Sequence, residues 1–176
     1  MNVLEIDLLT TKDKQVICAH DTDLGRLCGS EYEGTKVEDY NFIDLPLMKR
    51  RIRNDTLNVN YILRPDEEGK FLRLRDLIEA MPSTVYFSLE FKEEREEMVD
   101  LTMLLIKEFS LENRVFWGVS KSSMNDYIDE VYPSITRIYS QGEVQTMFIW
   151  YLLGCFFCCK LKADFLTMPI MTSEQQ

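Results

Sequence analysis

Apolar and polar positions alternate from Val3 to Leu8, so Leu4, Ile6 and Leu8 fall on one face of a predicted strand while Glu5 and Asp7 share the other. Thr11 to Lys14 reads as a turn and Val16 to Ala19 as a second strand, which makes a compact hairpin-like unit. From about residue 28 to residue 70 no period is sustained, and Gly29, Gly34, Pro46, Pro65 and Gly69 punctuate a long loop excursion. Beyond Leu72 the two periods take turns. A helix carried by Leu74, Leu77, Ile78 and Met81 stops at Pro82, and a strand follows over Val85 to Phe91. The next helix has a predicted stripe of Met98, Leu101, Leu105 and Phe109, with Glu93, Glu94, Glu96 and Glu97 as a solvated acidic start. A strand over Val115 to Val119, a helix from Ser122 or Ser123 to Val131, and a strand over Thr136 to Tyr139 complete a βαβαβα succession.

Such alternation implies parallel strands joined by right-handed crossovers, hence an α/β layered sheet or barrel. In a barrel the chemistry gathers at the carboxyl ends of the strands, where Glu5, Asp7, Glu90 and Lys92 fall. Glu90 and Lys92 repeat the two-residue spacing of Glu5 and Asp7, opposite Leu89 and Phe91. Two strands thereby present three carboxylates and one ammonium. Burial of ionised groups costs several kcal/mol each unless they are compensated, and a hard divalent cation compensates three acids readily. The pattern reads as a metal site; the alternative is polar residues on solvent-facing sides of strands.

The 176 residues suit one domain, 1–176. With 20 basic against 30 acidic residues the chain carries a net charge of -10, which argues against nucleic acid as the main partner. No secretory signal is visible at Met1, so a cytoplasmic or cytosolic-face, endomembrane-associated location is expected. Five cysteines, three of them at Cys155, Cys158 and Cys159, make a poor disulfide framework, so reduced thiols are expected; Cys155 and Cys158 could also form a redox or zinc pair. The apolar run from Met147 to Cys159 is shorter than the roughly 20 residues of a membrane span. It fits either a buried core helix or a segment lying in the bilayer interface, with Trp150 and Tyr151 at the headgroups. Lys49, Arg50, Arg51 and Arg53 form a basic cluster that suits a solvated loop or a contact with anionic lipid. Asn54-Asp55-Thr56 has the glycosylation pattern, which matters only in the secretory lumen.

Glu5-Ile6-Asp7, Thr11-Lys12-Asp13, Val16-Ile17, His20-Asp21, Leu24, Arg26 and Gly29 together resemble the block of the glycerophosphodiester phosphodiesterases that runs from their E-x-D strand to their HD loop. Ser88-Leu89-Glu90-Phe91-Lys92 is similar to their N-x-E-x-K strand. The likeness is greatest to the eukaryotic branch with lysophospholipase D activity. It implies a partial TIM (β/α)8 barrel without the first strand and helix and the last strands. It also implies phosphodiester hydrolysis of glycerophosphodiesters or lysophospholipids with Mg2+ or Ca2+. Glu5, Asp7 and Glu90 would then be metal ligands, Lys92 the contact to the substrate phosphate, and His20 the general acid. The family's His-Arg-Gly and Pro-Glu-Asn have no counterpart here, and His20 is the only histidine. The resemblance therefore implies a truncated and impaired enzyme, or a non-catalytic truncated isoform that binds a membrane or a partner.

Overall fold

The computed structural model describes residues 2–54, 59–119, 123–158 and 163–165. The alternating start of the chain forms β1 (Asn2–Thr10), and a turn closed by the Thr11 hydroxyl, which donates to Asp13 Oδ1 at 2.6 Å, leads to the antiparallel β2 (Val16–Cys18). A short α1 (Gly25–Cys28) opens the excursion. Within it β3 (Arg51–Asn54) and β4 (Val59–Ile62) pair as an antiparallel hairpin, where the sequence shows only irregular chain. Four-residue strands are too short for a period to register. After β5 (Leu72–Arg73), a two-residue strand too short to show in the sequence pattern, the rest follows the expected alternation: α2 (Leu74–Ala80), β6 (Val85–Phe91), α3 (Glu96–Glu108), β7 (Val115–Val119), α4 (Ser123–Val131), β8 (Thr136–Arg137) and α5 (Gln141–Leu152). The strand expected to reach Tyr139 pairs only over Thr136–Arg137, after which Ile138 bridges Phe165 and Tyr139 N–H donates to the Phe165 carbonyl. Leu166 lies outside the described residues, as do Asp55, Thr56 and Ser122.

The main sheet runs β5-β2-β1-β6-β7-β8, with β1, β6, β7 and β8 mutually parallel. The four parallel strands and their crossover helices form an arc of a TIM-type barrel. Ile6, Leu8, Phe87, Leu89, Phe91 and Trp117 are buried against Val99, Met103 and Ile106 of α3, on one side of the sheet. A second core packs Leu9, Ile17, Leu24, Leu27, Val37, Ile52 and Phe71, so the excursion folds onto the hairpin and covers it rather than trailing in solvent.

Two expectations about α3 are corrected. Its buried positions are Met98, Val99, Thr102, Met103 and Ile106, while Leu101, Leu105 and Phe109 only flank the core. Threonine reads as polar in sequence, yet Thr102 is buried because its hydroxyl donates to the Met98 carbonyl at 2.8 Å inside the helix. Glu93 is not part of a solvated helix start. Its side chain is 11% exposed, accepts from Thr10 N–H at 3.2 Å and pairs with Arg95, locking the β6–α3 loop onto β1.

The apolar run does not form a core helix. No residue of α5 is buried, and the helix ends before Gly154, whose φ of +68° turns the chain into a short 3-10 turn at Phe156–Cys158. Phe148, Ile149, Tyr151, Leu152, Leu153 and Phe157 are all exposed. Among the described residues no helix is long and apolar enough to cross a membrane.

Candidate active site

Parallel pairing of β1 with β6 sets Glu5 opposite Ser88 and Asp7 opposite Glu90. Neighbouring positions on adjacent strands share a face, so the register alone brings carboxylates from two strands together. One oxygen from each of Glu5, Asp7 and Glu90 lies within 4.8 Å of the other two. The three expected acids are thus convergent. Gly118 occupies the next strand at the Glu90 level, where a Cβ would only touch the Ile138 side chain, the Leu89 carbonyl and the Glu90 side chain at 3.7 to 3.9 Å.

Lys92 belongs to this cluster. Its Nζ donates to Glu90 Oε1 at 2.7 Å and pairs with Asp7 Oδ1 at 2.9 Å, and its own N–H holds the Leu8 carbonyl at 3.2 Å. Burial works against the ammonium, but the bonds to Glu90 and Asp7 outweigh it and hold its pKa above the usual lysine value. Glu5 also moves up, which for a carboxyl disfavours the charged form. Desolvation first, then the charges of Asp7 and Glu90, raise its pKa above the ordinary carboxylate value, and Lys92 and His20 offset only part of that. One ammonium therefore does not balance three carboxylates. Room remains for positive charge beside Glu5.

His20 opens the loop after β2, and Ala19 N–H donates to the Asp7 carbonyl at 2.9 Å, which ties that loop to the acid-bearing strand. The ring is exposed, lies close enough to Glu5 to lower its pKa, and shares a 2.7 Å hydrogen bond between Nδ1 and Asp21 Oδ1. Asp21 also accepts from Arg26 Nε. Burial pushes the Asp21 carboxyl up, but those two bonds more than reverse it, so Asp21 stays ionised beside the imidazole. Asp21 therefore holds the ring at Nδ1. Arg26 stands in the block quoted from the sequence, but its bond to Asp21 could not be read there, because spacing alone does not distinguish it from a solvated arginine.

Thr22, Lys36, Val37, Glu38, Lys92, Glu93 and Arg95 line a polar cavity of about 240 Å³ next to the cluster. Arg95 pairs with Glu93 and reaches Glu38 at 3.2 Å, bridging the β6–α3 loop and the excursion across it. Among the described residues no cysteine joins the acid cluster. Burial pushes the Cys18 thiol up to about 12 and the Cys28 thiol up to about 11, so both stay protonated. Cys155 is half-buried, whereas Cys159 and the side chain of Cys158 lie outside the described residues.

No family model matches the chain. Among curated proteins it is similar to lysophospholipase D GDPD1 of Mus musculus, 24% identical over 172 residues that span 96% of this chain and 52% of the mouse protein. It is likewise similar to lysophospholipase D GDPD3 of Homo sapiens, 26% identical over 153 residues, 87% of this chain and 46% of the human protein. The chain thus spans about half the length of the curated relatives it matches. In fold it resembles the glycerophosphoryl diester phosphodiesterase domain of a Mycobacterium tuberculosis protein, with a TM-score of 0.63 and 13% identity over 88% of this chain and 55% of that one. It also resembles the glycerophosphodiester phosphodiesterase of Agrobacterium tumefaciens, with a TM-score of 0.59 and 15% identity over 78% of this chain and 54% of that one. The resemblance read from the E-x-D, HD and E-x-K blocks extends over 96% of the chain in sequence and 88% of it in fold.

Proposed function

We propose that this chain carries the metal-binding part of a phosphodiester-hydrolysing site acting on glycerophosphodiesters or lysophospholipids, in the manner of a lysophospholipase D. The observation that carries the reading is the convergence of Glu5, Asp7 and Glu90 within 4.8 Å, beside Lys92 and next to the His20 loop. Carboxylate oxygens from two strands suit a hard divalent cation, Mg2+ or Ca2+. When bound, such an ion supplies electrophilic stabilisation of charge on phosphorus. The protein's own groups do the rest. Lys92 pairs with a non-bridging phosphate oxygen, and water adds to phosphorus as the bond to the leaving alcohol breaks. Protonated His20 gives its Nε2 proton to that alcohol oxygen while Asp21 holds Nδ1. A second acid-base group for the attacking water is not a histidine of these 176 residues. The isolated chain is therefore expected to hydrolyse its substrate about 10² to 10⁴ times more slowly than an enzyme with both groups.

Differential scanning fluorimetry tests the metal reading. Calcium or magnesium at ten times its Kd is expected to stabilise the chain by about 1.4 kcal/mol, raising the melting midpoint by roughly 3–5 °C. Glu5→Ala should abolish that rise while leaving the metal-free midpoint close to wild type, since Glu5 is exposed at its strand. An unmoved midpoint in millimolar metal would remove the basis of the proposal.

A second reading, an interaction module that rests on a bilayer through Met147 to Cys159, is favoured by the exposure of Phe148, Ile149, Trp150, Tyr151 and Leu152 on α5. It expects the chain to co-sediment with neutral phosphatidylcholine vesicles and Trp150→Asp to abolish this. A wild-type chain that stays in the supernatant sinks it.

A further inference from the structure

The β3–β4 hairpin is two-faced. Cross-strand register puts Arg51 opposite Ile62 and Arg53 opposite Asn60 on one face, and Ile52 opposite Tyr61 on the other. Ile52 is buried in the excursion's core, which pins β3 by that side chain and leaves Arg51, Arg53 and Ile62 in solvent, together with Tyr61 at the edge. Lys49 and Arg50 enter that strand and are exposed too. Four cations thus occupy five consecutive positions in a chain whose net charge is -10. Three of the four, Lys49, Arg50 and Arg51, are in ion-pair contact with no carboxylate among the described residues, the nearby Glu67 pairing with Arg64 and Glu68 with Lys70. Ile62 stands among these cations, 64% exposed.

We propose that this basic hairpin face docks on an anionic lipid surface. Clustered Lys and Arg on a locally positive face are attracted to anionic headgroups, each contributing about fivefold in affinity near the surface. An aliphatic side chain beside them suits the headgroup boundary better than it suits a phosphate backbone in water. The hairpin is also joined to the site: Arg26 Nη1 donates to the Arg53 carbonyl at 3.0 Å while its Nε holds Asp21, the partner of His20. A bilayer against the hairpin would therefore lie on the His20 side of the acid cluster. This placement needs no metal, so its failure and that of the metal reading are separable.

The test is co-sedimentation of the full 176-residue chain with phosphatidylcholine vesicles, with and without phosphatidylserine, in metal-free buffer. Binding is expected only with phosphatidylserine, and it should fall as salt shortens the screening length. Lys49→Ala with Arg51→Ala should reduce affinity about twentyfold at an unchanged melting midpoint. Equal binding to both vesicle types, binding indifferent to salt, no binding at all, or a folded double variant that binds like wild type would each overturn the proposal. The salt series uses only the wild-type chain, so the question is decided even if the double variant does not fold. Loss on Trp150→Asp without loss on the double variant would assign the membrane contact to α5 instead.

Discussion

Arg137→Ala is expected to destabilise the chain by about 2–3 kcal/mol, less than for a fully buried pair because Asp129 and Glu143 keep solvent contact, and to lower the melting midpoint by roughly 5–10 °C. The Arg137 side chain is 3% exposed and lies on β8, between α4 and α5. Its Nε donates to Asp129 Oδ1 at 2.8 Å, and Nη1 and Nη2 donate to Glu143 Oε2 and Oε1 at 2.8 and 3.0 Å. Glu143 also takes Asn125 Nδ2 at 2.9 Å and closes the capping box with Ser140 that starts α5. One planar fork therefore fastens two helices to the last described strand. Arg137→Lys should recover only part of the loss, because an ammonium cannot serve both carboxylates at once.

The same network sets an acid limit. Burial pushes the Glu143 carboxyl up, but the bonds from Arg137 and Ser140 outweigh it and leave its pKa below the ordinary 4.5. The unfolded chain then binds more protons than the folded one between those two values, so stability rises with pH across that window. The contribution is complete above about pH 4.5 and is lost as pH falls through the lowered folded pKa. Melting curves over that range should be steep for the wild type and flatter for Arg137→Ala. Equal slopes would mean that Arg137 does not hold Glu143 in its ionised form.

Much of this architecture is legible in the sequence because the relevant signals are local. Val85–Phe91 and Val115–Val119 are apolar runs bounded by breakers, and the structure places strands on those residues. Glu5 with Asp7, and Glu90 with Lys92, share faces because the strand period is two. What sequence could not supply is register. That Asp7 meets Glu90 follows from the offset between β1 and β6, which depends on packing over the whole strand rather than on either motif. Lys92 is a similar case: read alone it is a phosphate contact, whereas in the fold it is bonded to two of the acids. The hairpin at 51–62 and the bond from Arg26 to Asp21 escaped because short strands and single arginines carry no periodic signal.

Lys92→Met should expose that dual position through effects of opposite sign. The side chain is 16% exposed and its Nζ lies 2.9 Å from Asp7 and 2.7 Å from Glu90. Removing the ammonium leaves two neighbouring carboxylates repelling each other, which is expected to cost the metal-free chain about 1–3 kcal/mol, less than for a fully buried pair because Glu90 keeps solvent contact. Methionine preserves most of the volume, so the loss is electrostatic rather than a cavity. A divalent cation among the same oxygens no longer faces a positive neighbour. At an effective dielectric of 20, two unit charges 4 Å apart repel by about 4 kcal/mol, so even heavy solvent screening leaves a gain of tenfold or more in metal affinity. Calcium or magnesium should therefore raise the melting midpoint of Lys92→Met by more than it raises that of the wild type. Binding of inorganic phosphate to the metal-loaded protein, followed by calorimetry, should weaken in the same variant, because the cation that pairs with the anion has gone. A variant whose metal response shrinks along with its phosphate affinity would place Lys92 in a purely structural ion pair and remove it from the site.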